Sequence, residues 1–88
     1  MRIPSGFTDV TAWNIIACEA YRKDGIVVQI YQIDPGDFGV ACYVTHDDSR
    51  DRRYAPHDSV LDAPFRNSYS DAVKLARKLL LVESEALR

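Results

Sequence analysis

Residues 46 to 58, HDDSRDRRYAPHD, gather both histidines of the chain, four aspartates and three arginines into thirteen positions. Three kinds of chemistry could use such a set. His46, Asp47, Asp48, His57 and Asp58 are metal-ligand types, and an H-D-D…H-D order suggests a metal hydrolase. A metal site, however, needs ligands projected from rigid elements and oriented by an outer shell of hydrogen bonds. All five residues lie in or beside one arginine-rich loop, whose cations partly neutralise them, so no metal is expected. Nucleophilic catalysis has no better support. No serine sits in a G-x-S-x-G elbow, and His46 follows Cys42 by four positions, about 13 Å along a strand. Neither a G-x-x-x-x-G-K-[ST] nor a G-x-G-x-x-G loop is present, so no nucleotide and no other cofactor is expected. The third chemistry is anion recognition by Arg50, Arg52 and Arg53, since arginine grips phosphate and carboxylate in a two-pronged fashion. Four acids against three bases give the stretch a local charge of −1, the mark of a solvated connector with internal ion pairs. The expectation is a protein without catalytic residues, with the three arginines as a weak candidate anion contact.

The elements that would hold these residues are those of one small domain spanning residues 1–88. With 47% hydrophobic and 27% charged residues the composition is globular and not disordered. A formal charge of −2 argues against a general nucleic-acid binder. No apolar run is long enough for a membrane span, and MRIPSGFTD lacks the features of a secretory leader. Cys18 and Cys42 stand alone in apolar runs, which predicts two buried, reduced thiols in a cytoplasmic protein.

The clearest element is the last. Ala72, Leu75, Ala76, Leu79 and Val82 recur at helical spacing after the candidate caps Ser68 and Ser70, predicting a helix from about Ser70 to Glu85. Ser68 and Asp71 form a loose capping box. Ile26 to Ile33 and Val40 to Thr45 are dense in β-branched and aromatic residues, and DPGDFG between them predicts a hairpin with a longish loop. Residues 8 to 25 read two ways. As a strand, Trp13 to Arg22 joins the next strand through a three-residue Lys23-Asp24-Gly25 loop. As a helix, the segment would be capped by Thr8 or Asp9 and stopped by Gly25. Thr11, Asn14, Ile15 and Ile16 are weak helix formers, which favours the strand. The predicted fold is therefore α+β. A three-stranded antiparallel meander, with a further short strand near Arg53 to Ala55, carries the C-terminal helix on one face. The order α-β-β-β-α, that of double-stranded-RNA-binding domains, is the alternative.

Strand alternation then divides the side chains. Ile16, Cys18, Ala20, Ile26, Val28, Ile30, Val40, Cys42 and Val44 form an apolar face suited to the helix. The other face takes Trp13, Tyr21, Tyr31 and Tyr43, with Ile15, Val27, Ile33 and few charges. A face that meets only water should be more polar. Either the N-terminal segment or the loop bearing Val60, Leu61 and Phe65 covers it, or a partner does. The functional expectation is a non-enzymatic interaction module. Trp13, Tyr21, Tyr31 and Tyr43 are its candidate contacts with a protein partner or a second copy of the chain. Nucleic-acid binding through Arg50, Arg52, Arg53 and the Lys74–Lys78 side of the helix is the alternative.

Overall fold

Alternating apolar residues, two tight turns and one well-capped helix assemble into a five-stranded antiparallel sheet with a single helix on one face. A computed structural model describes residues 3–45 and 52–86. The strands are β1 (Phe7–Asp9), β2 (Ile16–Lys23), β3 (Ile26–Asp34), β4 (Asp37–Thr45) and β5 (Tyr54–Pro56), followed by helix α1 (Tyr69–Ala86). Their order across the sheet is β1-β5-β4-β3-β2. The meander β2-β3-β4 is thus as expected, and the short strand predicted near Arg53 is β5. Residues 16 to 23 are strand, which removes the α-β-β-β-α alternative.

Both hairpins are tighter than the sequence suggested. Lys23 pairs with Ile26, leaving a two-residue loop in which Asp24 (φ 51°) and Gly25 (φ 82°) are both left-handed. That is the turn whose twist matches paired strands, and aspartate and glycine tolerate it best. Asp34 pairs with Asp37 across Pro35-Gly36, with Gly36 at φ 84°. Proline supplies the fixed φ of the first turn position and glycine the positive φ of the second.

The register shifts three times, at Cys18 in β2, opposite Ile30 in β4, and at Ile33 beside the β3–β4 turn, and the first two rearrange the faces. β2 carries one extra residue at Cys18, so Ala17 pairs with Tyr31 but Glu19 pairs with Ile30. β4 carries another opposite Ile30, where Ala41 takes φ 87°; Gln29 pairs with Cys42 but Tyr31 with Gly39. An extra residue reverses the alternation of everything beyond it. Tyr21 and Tyr43 therefore lie on the helix side, in one row with Val28 and Tyr54. Tyr31 stays on the opposite side. The four aromatic candidates do not share a face.

The main core lies under α1. Ile26, Val28, Ile30, Tyr43, Tyr54 and Phe7 of the sheet meet Ala72, Ala76 and Leu79 of the helix, with Leu61 at the end. Helix entry is held by Ser68, whose Oγ accepts the Asp71 amide at 3.3 Å while its carbonyl accepts the Ala72 amide at 2.9 Å. The far end is less well matched. The last turn holds no basic residue, and burial pushes the Glu83 carboxyl above its ordinary value of 4.5. A carboxyl whose pKa rises on folding favours the fold in its protonated form, and that stabilisation is lost as pH climbs through the raised value. Glu83→Gln should therefore be more stable than the parent at pH 7. The advantage should shrink on acidification through the glutamate range, as read by thermal unfolding at the two pH values.

The second face is covered from within. β1 and β2 stand at opposite edges of the sheet, so residues 10–15 must cross roughly 19 Å, four strand spacings. They do so over the face away from the helix. Val10 is buried there with Tyr31 and Ala55, and Ile15 and Phe65 pack against them. The loop before α1 closes the other half. Phe38 exchanges backbone hydrogen bonds with Asn67, and the Val40 amide donates to the Pro64 carbonyl at 2.7 Å. This explains why the face is too apolar for open water: Tyr31 retains only 2% exposure.

Candidate functional site

The covering strap and loop leave a concavity between them. Thr8 of β1, Trp13 of the strap, Pro56 and His57 at the end of β5, and Pro64 and Phe65 of the last loop line a groove of about 550 Å³. Its aromatic wall is Trp13 against Phe65, ring centroids 5.4 Å apart and tilted by 42°. Trp13 is held by the strap's own turns: its amide donates to the Val10 carbonyl at 2.9 Å, and the Ile15 amide returns to the Trp13 carbonyl at 3.1 Å. Despite this anchoring the indole is 45% exposed. Phe65 owes its position partly to Gly39, where any Cβ would lie 3.3 Å from its ring and 2.7 Å from Ile33.

The polar wall is built where β1 meets β5. The Thr8 hydroxyl and His57 Nε2 are hydrogen-bond partners. The His57 amide donates to the Gly6 carbonyl at 2.8 Å, and the Val60 amide donates to the His57 carbonyl at 2.8 Å, so the backbone on both sides of the imidazole is pinned. Asp58 and Ser59 complete this end of the groove. The arrangement offers an apolar slot with hydrogen-bonding groups at one end, the usual composition of a recognition site.

The other predicted site residues are scattered. Tyr43, 6% exposed, packs on Phe7 at 5.2 Å in the main core. Tyr21 lies on the helix side of the edge strand, its hydroxyl donating to Glu19 Oε2 at 2.7 Å. That bond, and burial after it, raise the phenol above its ordinary pKa. Tyr31 donates to Gln29 under the strap. Only Trp13 reaches the groove. Of the three arginines, Arg50 lies outside the described residues, as do His46, Asp47 and Asp48. Arg52 is engaged with Asp9 at 3.0 Å, while the Arg53 guanidinium sits 5.9 Å above the Tyr31 ring. Thr11, through its side chain and its amide, and then Arg52 hold the Asp9 carboxyl below its ordinary range. Arg52 thus meets the end of β1, and the strap is fastened by the Arg53 backbone, whose amide donates to Thr11 Oγ1 at 2.9 Å and whose carbonyl accepts the Val10 amide at 2.8 Å. Among the described residues no three of His, Cys, Asp and Glu gather closely enough to share a cation.

Two further expectations change. Cys18 is a free, exposed thiol and not a buried one, because the bulge places it at the sheet edge. The stretch 46 to 58 is not wholly a solvated connector, since Tyr54, Ala55 and Pro56 within it are buried in the sheet. Thr8, Pro64 and Phe65 had no legible role as groove residues. The one hint was an apolar cluster in an otherwise polar loop. No described helix is long and apolar enough to cross a membrane. Comparison with protein families, with curated proteins and with solved structures finds no match to this chain.

Proposed function

We propose that the chain is a non-enzymatic protein-interaction module that seats an apolar or aromatic side chain of an extended partner segment against Trp13 and Phe65. The observation that carries this reading is the indole itself. A large side chain on a backbone pinned by local hydrogen bonds, packed on Phe65 yet on a residue 45% exposed beside a groove, is a preformed anchor. Thr8 and His57 at the polar end would bind the segment's backbone. A cytoplasmic location belongs to the same reading, because a reducing compartment preserves the exposed Cys18 as a thiol.

Trp13 is the sole tryptophan, so its emission reports the site directly. Peptides selected from a displayed library on the intact chain should shift that emission on titration. Trp13→Ala should weaken their binding by about thirtyfold or more, the range of a lost aromatic anchor, with the far-UV spectrum retained. Peptides that bind Trp13→Ala as tightly as the parent would remove the groove from the function. A salt-dependent shift of RNA or DNA, undisturbed by Trp13→Ala, would transfer the function to the nucleic-acid alternative.

A further inference from the structure

The sheet has two edges of very different character. β1 is three residues long, whereas β2 is eight. Ile16 (67% exposed), Ala17, Cys18, Ala20 and Arg22 of β2 all reach solvent. Among the described residues β2 pairs only with β3, so one row of its backbone amides and carbonyls has no described strand beside it. Such an edge is a template for another strand. Natural edges commonly block this with charges and bulges, and β2 carries both: Glu19, Arg22 and Lys23, and the bulge at Cys18. The bulge limits any further pairing to the segment Glu19–Lys23, and the charges then decide what can pair there.

We infer that this edge takes the same edge of a second copy, β2 against β2, antiparallel and centred on Tyr21. Residues opposite each other in an antiparallel pair share a face, and a two-fold axis normal to the sheet keeps both helices on one side. Only symmetric registers that join residues of equal parity satisfy this condition. Centred on Ala20, the register sets Glu19 against Tyr21 and pairs no charges. Centred on Glu19 it opposes two glutamates, and centred on Arg22 it opposes two arginines. Centred on Tyr21, Glu19 of each copy faces Lys23 of the other and Ala20 faces Arg22, so two opposite-charge pairs form and no like-charge pair does. Tyr21 meets its own copy at the axis, with the small Ala20 admitting the long Arg22 beside it. The strand that charges would normally protect is self-complementary in this one alignment. The interface joins two five-stranded sheets into one and lies at the edge remote from β1, so it does not depend on ligand binding in the groove.

Sedimentation of the intact chain over a concentration series in low salt should reveal a monomer–dimer equilibrium that weakens as salt is raised. Lys23→Glu places like charges opposite each other twice and should weaken dimerisation about tenfold or more. The exchange Glu19→Lys with Lys23→Glu restores both pairs and should return the dimer. In a Cys18→Ser background, Tyr21→Cys should form a disulfide-linked dimer on mild oxidation, whereas Arg22→Cys should not. A parent that stays monomeric at every concentration would overturn the inference. So would a dimer indifferent to Lys23→Glu, a charge exchange that fails to restore it, or equal cross-linking at positions 21 and 22. Far-UV spectra of each variant establish that lost association is not lost folding.

Discussion

Tyr43→Ser should destabilise the fold by about 3–5 kcal/mol, the range for removing a large aromatic side chain from a core. Tyr43 is 6% exposed, stacks on Phe7 at 5.2 Å and lies in register with Val28 on one side and Tyr54 on the other. Among the described residues it is also the one through which β4 and β5 are paired, so its loss weakens the joint between the meander and the β1–β5 pair. A domain of 88 residues has roughly 4–13 kcal/mol of stability in total, so this substitution removes a large share of it. Urea unfolding followed by circular dichroism measures the change directly. Simple alternation would have put Tyr43 on the outer face, away from Phe7, Tyr54 and the helix. A midpoint shift worth under about 1 kcal/mol would mean that Tyr43 does not fill the core under α1.

Gly6→Ala should cost about 2–5 kcal/mol through two separable effects. Gly6 has φ 85°, and an alanine forced into the left-handed region loses about 1–2 kcal/mol. The new Cβ would also lie 2.7 Å from Val60 Cγ2, a branched methyl close to its own backbone, and overpacking of that kind costs about 1–3 kcal/mol. Gly36 provides the control. It has nearly the same φ, 84°, with nothing within 4 Å of its would-be Cβ, so Gly36→Ala should show the backbone effect alone. Val60→Ala should recover part of the Gly6→Ala loss in a double-mutant cycle and none of the Gly36→Ala loss. Equal costs at the two glycines would show that the Val60 contact is absorbed without strain. Because the Gly6 carbonyl receives the His57 amide, Gly6→Ala should also disturb the Thr8–His57 end of the groove.

These two substitutions mark where the sequence is readable and where it is not. Helix α1, the β2-β3-β4 meander and the place of both turns, though not their two-residue length, follow from local chemistry: capping by Ser68, the period of Ala72, Ala76 and Leu79, and positive-φ residues at Asp24-Gly25 and Gly36. Each depends on interactions within a few residues, and so it can be read along the chain. The excess of apolar residues on the outer face was also legible, together with the alternative that the N-terminal segment or the Phe65 loop covers it.

The allocation of the tyrosines was not. Bulges at Cys18 and opposite Ile30 arise from how neighbouring strands and the helix fit together, and one inserted residue exchanges the faces of all that follow. The groove lay equally out of reach. Thr8, Trp13, His57 and Phe65 are separated by up to 57 positions and meet only because the chain crosses the sheet between its two edge strands. Sequence alone indicated the meander, the short strand near Arg53, the C-terminal helix and an aromatic surface to be covered, but not β1 or the order of the strands. Tertiary structure decided which aromatics cover it, which are buried beneath, and that a single indole is left half in water, because strand register and chain crossing are long-range properties that no local pattern encodes.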